Sequence, residues 1–194
     1  LGFGRVQVNA TAANGVDSSK LSEKVEHFRK AVVSVPDVEW ILQMNEETKD
    51  LWTPFVKGSI AKNVSLLFDA SCGKGILPSS FQPPHDTISC GYAGGLGPAN
   101  IVSVLQKLER ILDNAGSSVG GGGIWTDMES SLREKRDGID AFSITNAHRC
   151  AQAAASVGAW PWPARCLLAP LGALTAGLAR FQRQPHPTIE VGWA

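Results

Sequence analysis

The sequence predicts an α/β fold built on a parallel sheet, and three observations carry that prediction. Short apolar segments recur and end in Asp or Gly, amphipathic helical stretches separate them, and Gly, Pro and Asn mark the junctions. Val6-Gln7-Val8-Asn9 alternates apolar with polar as a strand does, and the turn signal Asn14-Gly15 follows. Ser18 and Ser19 can cap a helix whose Leu21, Val25, Phe28 and Val32 form one apolar stripe, and Pro36 stops it. Glu39 to Met44 reads as a second strand, and Glu46 to Phe55 as a loop or short helix. Val64-Ser65-Leu66-Leu67-Phe68 is apolar enough for a strand buried on both faces. Thr87 to Ala93 is a fourth strand, closed by Gly94-Gly95. Pro98 suits the opening of a helix carrying Ile101, Val104, Leu105, Leu108, Ile111 and Leu112 on one face. A flexible stretch from Gly116 to Gly123 leads to the fifth strand, Ile124-Trp125-Thr126. An open doubly wound sheet and a piece of a barrel both fit this pattern.

Composition sets further bounds. With 194 residues and 43% hydrophobic content, the chain can bury one core but not two large ones. The formal charge is zero and no basic stripe is present, which gives no electrostatic reason to expect nucleic acid. Cys72, Cys90, Cys150 and Cys166 are scattered without zinc-ligand spacing, so the expectation is no metal and reduced thiols in a cytoplasmic setting. A plastid is the alternative compartment if upstream residues include a transit peptide. The run Leu167 to Ala179 is too short to span a bilayer and contains Pro170, so no membrane partner is expected. His27, His85, His148 and His186 have no evident partners. The chain starts at Leu and enters a strand almost at once, so it reads as a fragment lacking upstream βα units. From Ala151 the composition shifts to Ala, Pro, Trp, Gly and Arg, and Glu190 is the one acid. Residues 1–150 therefore read as the folded domain, and 151–194 as an irregular tail, disordered or non-native in sequence.

Three clusters carry chemistry. Asp69-Ala70-Ser71-Cys72-Gly73-Lys74-Gly75 follows the apolar strand, where a partly desolvated carboxylate would suit acid–base work. The same spacing also suits an Asp that caps the following segment. Tyr92-Ala93-Gly94-Gly95-Leu96-Gly97-Pro98-Ala99-Asn100 offers backbone N–H groups to an anion, without matching a dinucleotide fingerprint or a P-loop. Trp125-Thr126-Asp127-Met128-Glu129-Ser130-Ser131-Leu132-Arg133 sets a second carboxylate at a strand end, with two hydroxyls beyond it. Arg133 either reaches an anion or lies on an exposed helix.

In order and spacing these clusters resemble phosphoribosylanthranilate isomerases, which are ribulose-phosphate-binding barrels. The resemblance runs from Arg5-Val6-Gln7-Val8-Asn9, similar to the family's fourth strand, to about residue 133. Leu67-Phe68-Asp69 with Gly73-Lys74-Gly75 looks like the end of the sixth strand, and Ala93-Gly94-Gly95-Leu96 with Pro98 and Asn100 like the seventh. Asp127, Ser130 and Ser131 look like the eighth. The resemblance implies a partial (β/α)8 TIM barrel containing strands 4 to 8 and an aldose–ketose (Amadori) isomerisation of the tryptophan-biosynthesis type. It assigns the general acid to Asp69, substrate contacts to Gln7, Asn9, Gln43 and Asp127, and phosphate contacts to Gly94, Gly95, Ser130 and Ser131. The implied partner is a small phosphorylated substrate, and no cofactor is implied.

The sequence also departs from the family. Its catalytic base is a Cys on the first strand, outside this chain. Asn9 stands for a His, and an amide does not titrate near neutrality. Glu129 and Ser131 stand for Ser and Gly, and Glu129 adds negative charge beside the expected phosphate. Cys72 is a substitute base on one reading and a passive loop residue on the other. A non-catalytic or truncated phosphate-binding barrel is the rival reading. A phosphosugar epimerase or aldolase is a third, with Lys74 the one near candidate for a Schiff base.

Overall fold

A computed structural model of the chain describes residues 4–58, 62–115, 124–157 and 189–193, the last five as backbone. Its centre is a parallel sheet of β1 (Arg5–Val8), β2 (Glu39–Met44), β3 (Val64–Phe68), β4 (Cys90–Tyr92) and β5 (Ile124–Met128), adjacent in chain order. Helices α1 (Leu21–Ser34), α2 (Lys49–Gly58) and α3 (Ile101–Ala115) occupy intervals between these strands. The expected parallel α/β architecture is therefore present, curled into a half-barrel.

The curl follows from how the two faces are filled. On the outer face Leu42, Val64, Leu66 and Cys90 pack with Val32 of α1 and Phe55 of α2. Phe28 of α1 meets Trp40 and Phe55 edge-on, at 5.7 and 5.8 Å between ring centroids. Farther along, Tyr92, Ile124 and Met128 pack with Ile101, Val104, Leu105, Leu108 and Leu112 of α3. The bulk of these helices spreads the outer face. The inner face instead holds a small cluster of Ile41, Leu67, Ala93 and Trp125. Arg5 of β1 lies over the Trp125 ring of β5 at 5.1 Å. A flat sheet would hold strands four positions apart about 19 Å from each other, beyond that reach.

Two details make the close inner face possible. Gly91 of β4 has no side chain because the Trp125 indole occupies the position a Cβ would take. At the N-terminal end of the strands, Arg5 pairs with Glu39 at 2.7 Å and Ser65 donates to the same carboxylate. Burial pushes the Glu39 carboxyl up, but Arg5 and Ser65 outweigh it and hold it below the ordinary range.

Several expectations are modified. The segment 46–55 is a turn followed by helix: Asn45 Oδ1 accepts from the Thr48 N–H at 3.1 Å, and α2 begins at Lys49. The fourth strand spans Cys90–Tyr92 rather than Thr87 to Ala93. Beyond β5 the chain forms an antiparallel hairpin, β6 (Arg133–Arg136) with β7 (Ile139–Phe142), and then α4 (Ile144–Ser156). Arg133 is thus a hairpin residue paired with Asp140 at 3.1 Å, not a helix residue. Helix α4 buries Cys150 and Ala154 beside α3 and continues across the boundary expected at residue 150. Within the expected tail, β8 (Ile189–Trp193) pairs in parallel with β5. Residues 116–123 and 158–188 lie outside the described residues, and with them the flexible stretch and most of the tail. Among the described residues no helix is long and apolar enough to cross a membrane.

Candidate functional site

Strand alternation brings most of the residues singled out by sequence onto the inner face. Gln7 pairs in register with Ile41, Gln43 with Leu67, and Gly91 with Trp125. Two residues on, the same face carries Asn9, Asp69, Ala93 and Asp127 near the C-terminal strand ends. Asp69, Ala93 and Asp127 fall in one row just past the β3–β4 pairing, their backbones two strand spacings or about 10 Å apart. This is the end at which parallel α/β folds build their ligand sites.

The two carboxylates of that row differ in their surroundings. Asp69 is 4% exposed and accepts four hydrogen bonds. Gln43 Nε2 and the Gly73 N–H donate to Oδ2 at 2.6 and 2.8 Å. The Ser71 N–H and hydroxyl donate to Oδ1 at 3.1 and 2.6 Å. A carboxylate offers about four lone-pair sites, so these donors use its whole accepting capacity. The Asp69 carbonyl also accepts from the Cys72 N–H at 3.1 Å. The capping alternative therefore describes what Asp69 does in this conformation.

Asp127 is half-buried, and the neighbouring Met128 N–H favours its charged form. Burial pushes its carboxyl up, as do the negative charges of Glu129 and Asp69, to about 6.

Three loops converge over β4 and β5. Gly94 and Gly95 both have positive φ, 103° and 62°, which suits glycine. A Cβ on Gly95 would sit 2.7 Å from Gly75 O and Leu77 N, and one on Gly94 2.8 Å from Ile76 O. A Cβ on Gly75 would sit 2.7 Å from Ser130 Oγ, and one on Gly97 would strike Ser131. Gly94, Gly95, Ser130 and Ser131 thus belong to one loop cluster, and packing between loops already requires the glycines. Asn100 locks this turn by accepting from the Gly97 N–H at 2.9 Å and donating to Gly95 O at 2.8 Å. Helix α3 then starts at Ile101.

The other expected residues have protein partners of their own. Gln7 Nε2 donates to Asn9 Oδ1 at 2.7 Å, so the two polar residues at the end of β1 hold each other. Gln43, expected to touch substrate, donates to Asp69 from its Nε2. Its Oε1 and the Trp125 Nε1 are a buried acceptor and a buried donor without a partner among the described residues. Cys72 adopts a left-handed φ of 54°, and burial together with Glu47 and Asp69 raises its thiol above the ordinary range, against use as a thiolate base. Lys74 is exposed in the same loop. The donors Ser71 and Gly73 were not singled out as partners of Asp69, although Asp followed two residues later by Ser is an Asx-turn signal.

Comparisons of this chain with protein families, with curated proteins and with solved structures find no match.

Proposed function

We propose that this chain is part of an isomerase barrel of the phosphoribosylanthranilate isomerase type, with β1 to β5 standing as strands 4 to 8. It acts on a small phosphorylated ribosyl amine by an aldose–ketose rearrangement. The observation that carries this reading is the strand-end row of Asp69, Ala93 and Asp127, beside the loop cluster of Gly94, Gly95, Ser130 and Ser131. Carboxylates supply proton transfer, and the N–H and hydroxyl groups of the cluster suit phosphate. Loops after the last two strands are where barrels of this class grip phosphate. Gln7, Asn9 and Gln43 line the same face and would contact or organise the sugar.

Calorimetric titration with ribose 5-phosphate tests the binding half of this reading. Binding is expected for the phosphate ester and not for ribose, and Ser130→Asp should weaken it about tenfold or more by charge repulsion. Equal binding of ribose and its phosphate would remove the phosphate site. Ser130 is preferable to Gly95 for this test, because a side chain at Gly95 would collide with the loop backbone whatever the ligand.

The second reading, a phosphate-binding chain without turnover, is favoured by one observation. Every lone pair of Asp69, the expected general acid, is already engaged by protein donors.

A further inference from the structure

Resting on the isomerase reading, we infer that Asp127 is the proton carrier of the site and that Asp69 is a positioning residue. Gln43, Ser71 and Gly73 engage both oxygens of Asp69. Moving a proton through Asp69 would mean giving up a donor that shapes the 69–73 turn, and Asp69 is nearly sealed from solvent. Asp127 lies in the same row, half-buried rather than sealed, and its carboxylate is not tied into a turn as that of Asp69 is. It stands next to Ala93, which leads into Gly94-Gly95, and two residues before Ser130 comes Met128 of its own strand end. Asp69 Oδ1 also borders that loop cluster, 3.4 Å from where a Cβ on Gly94 would sit, but the Ser71 N–H and hydroxyl already occupy it.

The charged groups facing Asp127 are Glu129 from its own strand end and Asp69 from β3, both negative. Arg5 lies over the neighbouring Trp125 but is paired with Glu39 at the opposite end of the strands. In this field a carboxyl raised to about 6 is divided between acid and base near neutral pH, as a group that both gives and takes protons requires.

One carboxyl then accounts for the whole rearrangement. The Asp127 carboxyl gives its proton to the ring oxygen as the C1–O bond breaks, and the nitrogen lone pair forms a C1–N double bond. The resulting carboxylate takes the C2 proton; the C2–H electron pair becomes a C1–C2 double bond and the C–N π pair returns to nitrogen. The carboxyl next protonates C1 while the C2 hydroxyl electrons form the ketone, and the hydroxyl proton restores the acid. No net proton and no oxidant is consumed. Asp69 holds the 69–73 turn against the mouth and, through its charge, keeps Asp127 protonated to higher pH.

The test is exchange of the C2 proton of ribose 5-phosphate in deuterium oxide, followed by proton NMR with the full chain. The unaltered chain should exchange this proton, with a rate that rises with pH and levels off above about 6. Asp127→Asn should slow exchange about a hundredfold or more while ribose 5-phosphate still binds. Asp127→Glu should recover part of the rate. Glu129→Gln should move the inflection to lower pH, a change that a merely structural role for Asp127 would not produce. Gln43→Met, which removes one donor from Asp69, should lower the rate less than Asp127→Asn and keep an inflection. Exchange that survives Asp127→Asn within about threefold overturns this assignment and leaves the isomerase reading standing. No exchange by the unaltered chain at any pH, with ribose 5-phosphate bound, likewise overturns the assignment of Asp127, whereas failure to bind ribose 5-phosphate in preference to ribose overturns the isomerase reading itself.

Discussion

The two faces of the sheet follow opposite physical rules. The outer face is apolar and closed: Leu42, Leu66, Tyr92 and Ile124 are almost wholly buried beneath helices. The inner face alternates apolar with polar groups: Arg5, Glu39 and Ser65 at one end, Ile41, Leu67 and Trp125 in the middle, and Asp69 and Asp127 at the other. Non-directional burial stabilises the outer face, and many apolar side chains of suitable volume would serve there. The inner face depends on directed hydrogen bonds and charge, where one changed partner leaves a buried group unsatisfied. Stability is concentrated on one side and chemical potential on the other.

The largest expected effect comes from breaking the outer face. Leu66→Ala removes a fully buried side chain between α1, α2 and the sheet and should cost about 3 kcal/mol, measured as a fall in the urea unfolding midpoint. A loss below about 1 kcal/mol would mean that the helices do not pack there as described. On the inner face, Gly91→Ala forces a methyl group into the space of the Trp125 indole and should cost about 2 kcal/mol. Displacing the ring also separates it from Arg5, so tryptophan emission should shift. Unchanged emission would show that the ring does not lie over Gly91.

Asp127→Asn should act with the opposite sign. The folded-state carboxyl is raised from 3.8 to about 6, so the folded state holds its proton more tightly and stability falls as pH rises through that window. Removing the charge should stabilise the protein at pH 7 by on the order of 2 kcal/mol, after allowance for partial solvent screening, and by little at pH 4. A stabilising substitution that abolishes exchange would mark Asp127 as held for chemistry rather than for folding. The same gain at pH 4 as at pH 7 would remove burial of the charge as its cause.

Glu39→Gln should have the smallest effect. The carboxyl is depressed in the folded state, so its contribution is present above its unfolded value and is lost as pH falls through the folded one. A loss of about 0.5–1 kcal/mol at pH 7, vanishing in acid, is expected from thermal unfolding. A loss that persisted in acid would assign the effect to the Ser65 hydrogen bond instead.

Legibility in the sequence divides along the same line. The stripe of α1 and the face of α3 were readable because bulky apolar residues recur at helical spacing, and β3 because its apolar run ends at Asp69. Helix α4 was not, since much of its buried face is Ala and Cys, which carry little periodic signal. The β6–β7 hairpin does carry a local signal. Asp137 and Gly138 both have positive φ, 52° and 80°, and Asp-Gly is a strong two-residue turn signal. At the site, residue types and spacing brought Asp69, Gly94, Gly95, Asp127, Ser130 and Ser131 to attention. Their division of labour was hidden, because Gln43 lies 26 residues before Asp69 and burial of Asp127 is not set by its chain neighbours.

By itself the sequence determined that this chain alternates strands with helices around a parallel sheet, and that carboxylates and glycines gather at the strand ends. Local periodicity and turn chemistry are enough for that, since both act over a few residues. Tertiary structure alone decided which carboxylate is tied down and which stands ready, and why Gly91 and Gly95 have no side chain. These outcomes depend on atoms brought together across strands: a Gln43 amide on Asp69, an indole over Gly91, a loop backbone against Gly95. A carboxyl's proton affinity is set by its neighbours in space, and sequence order does not name those neighbours.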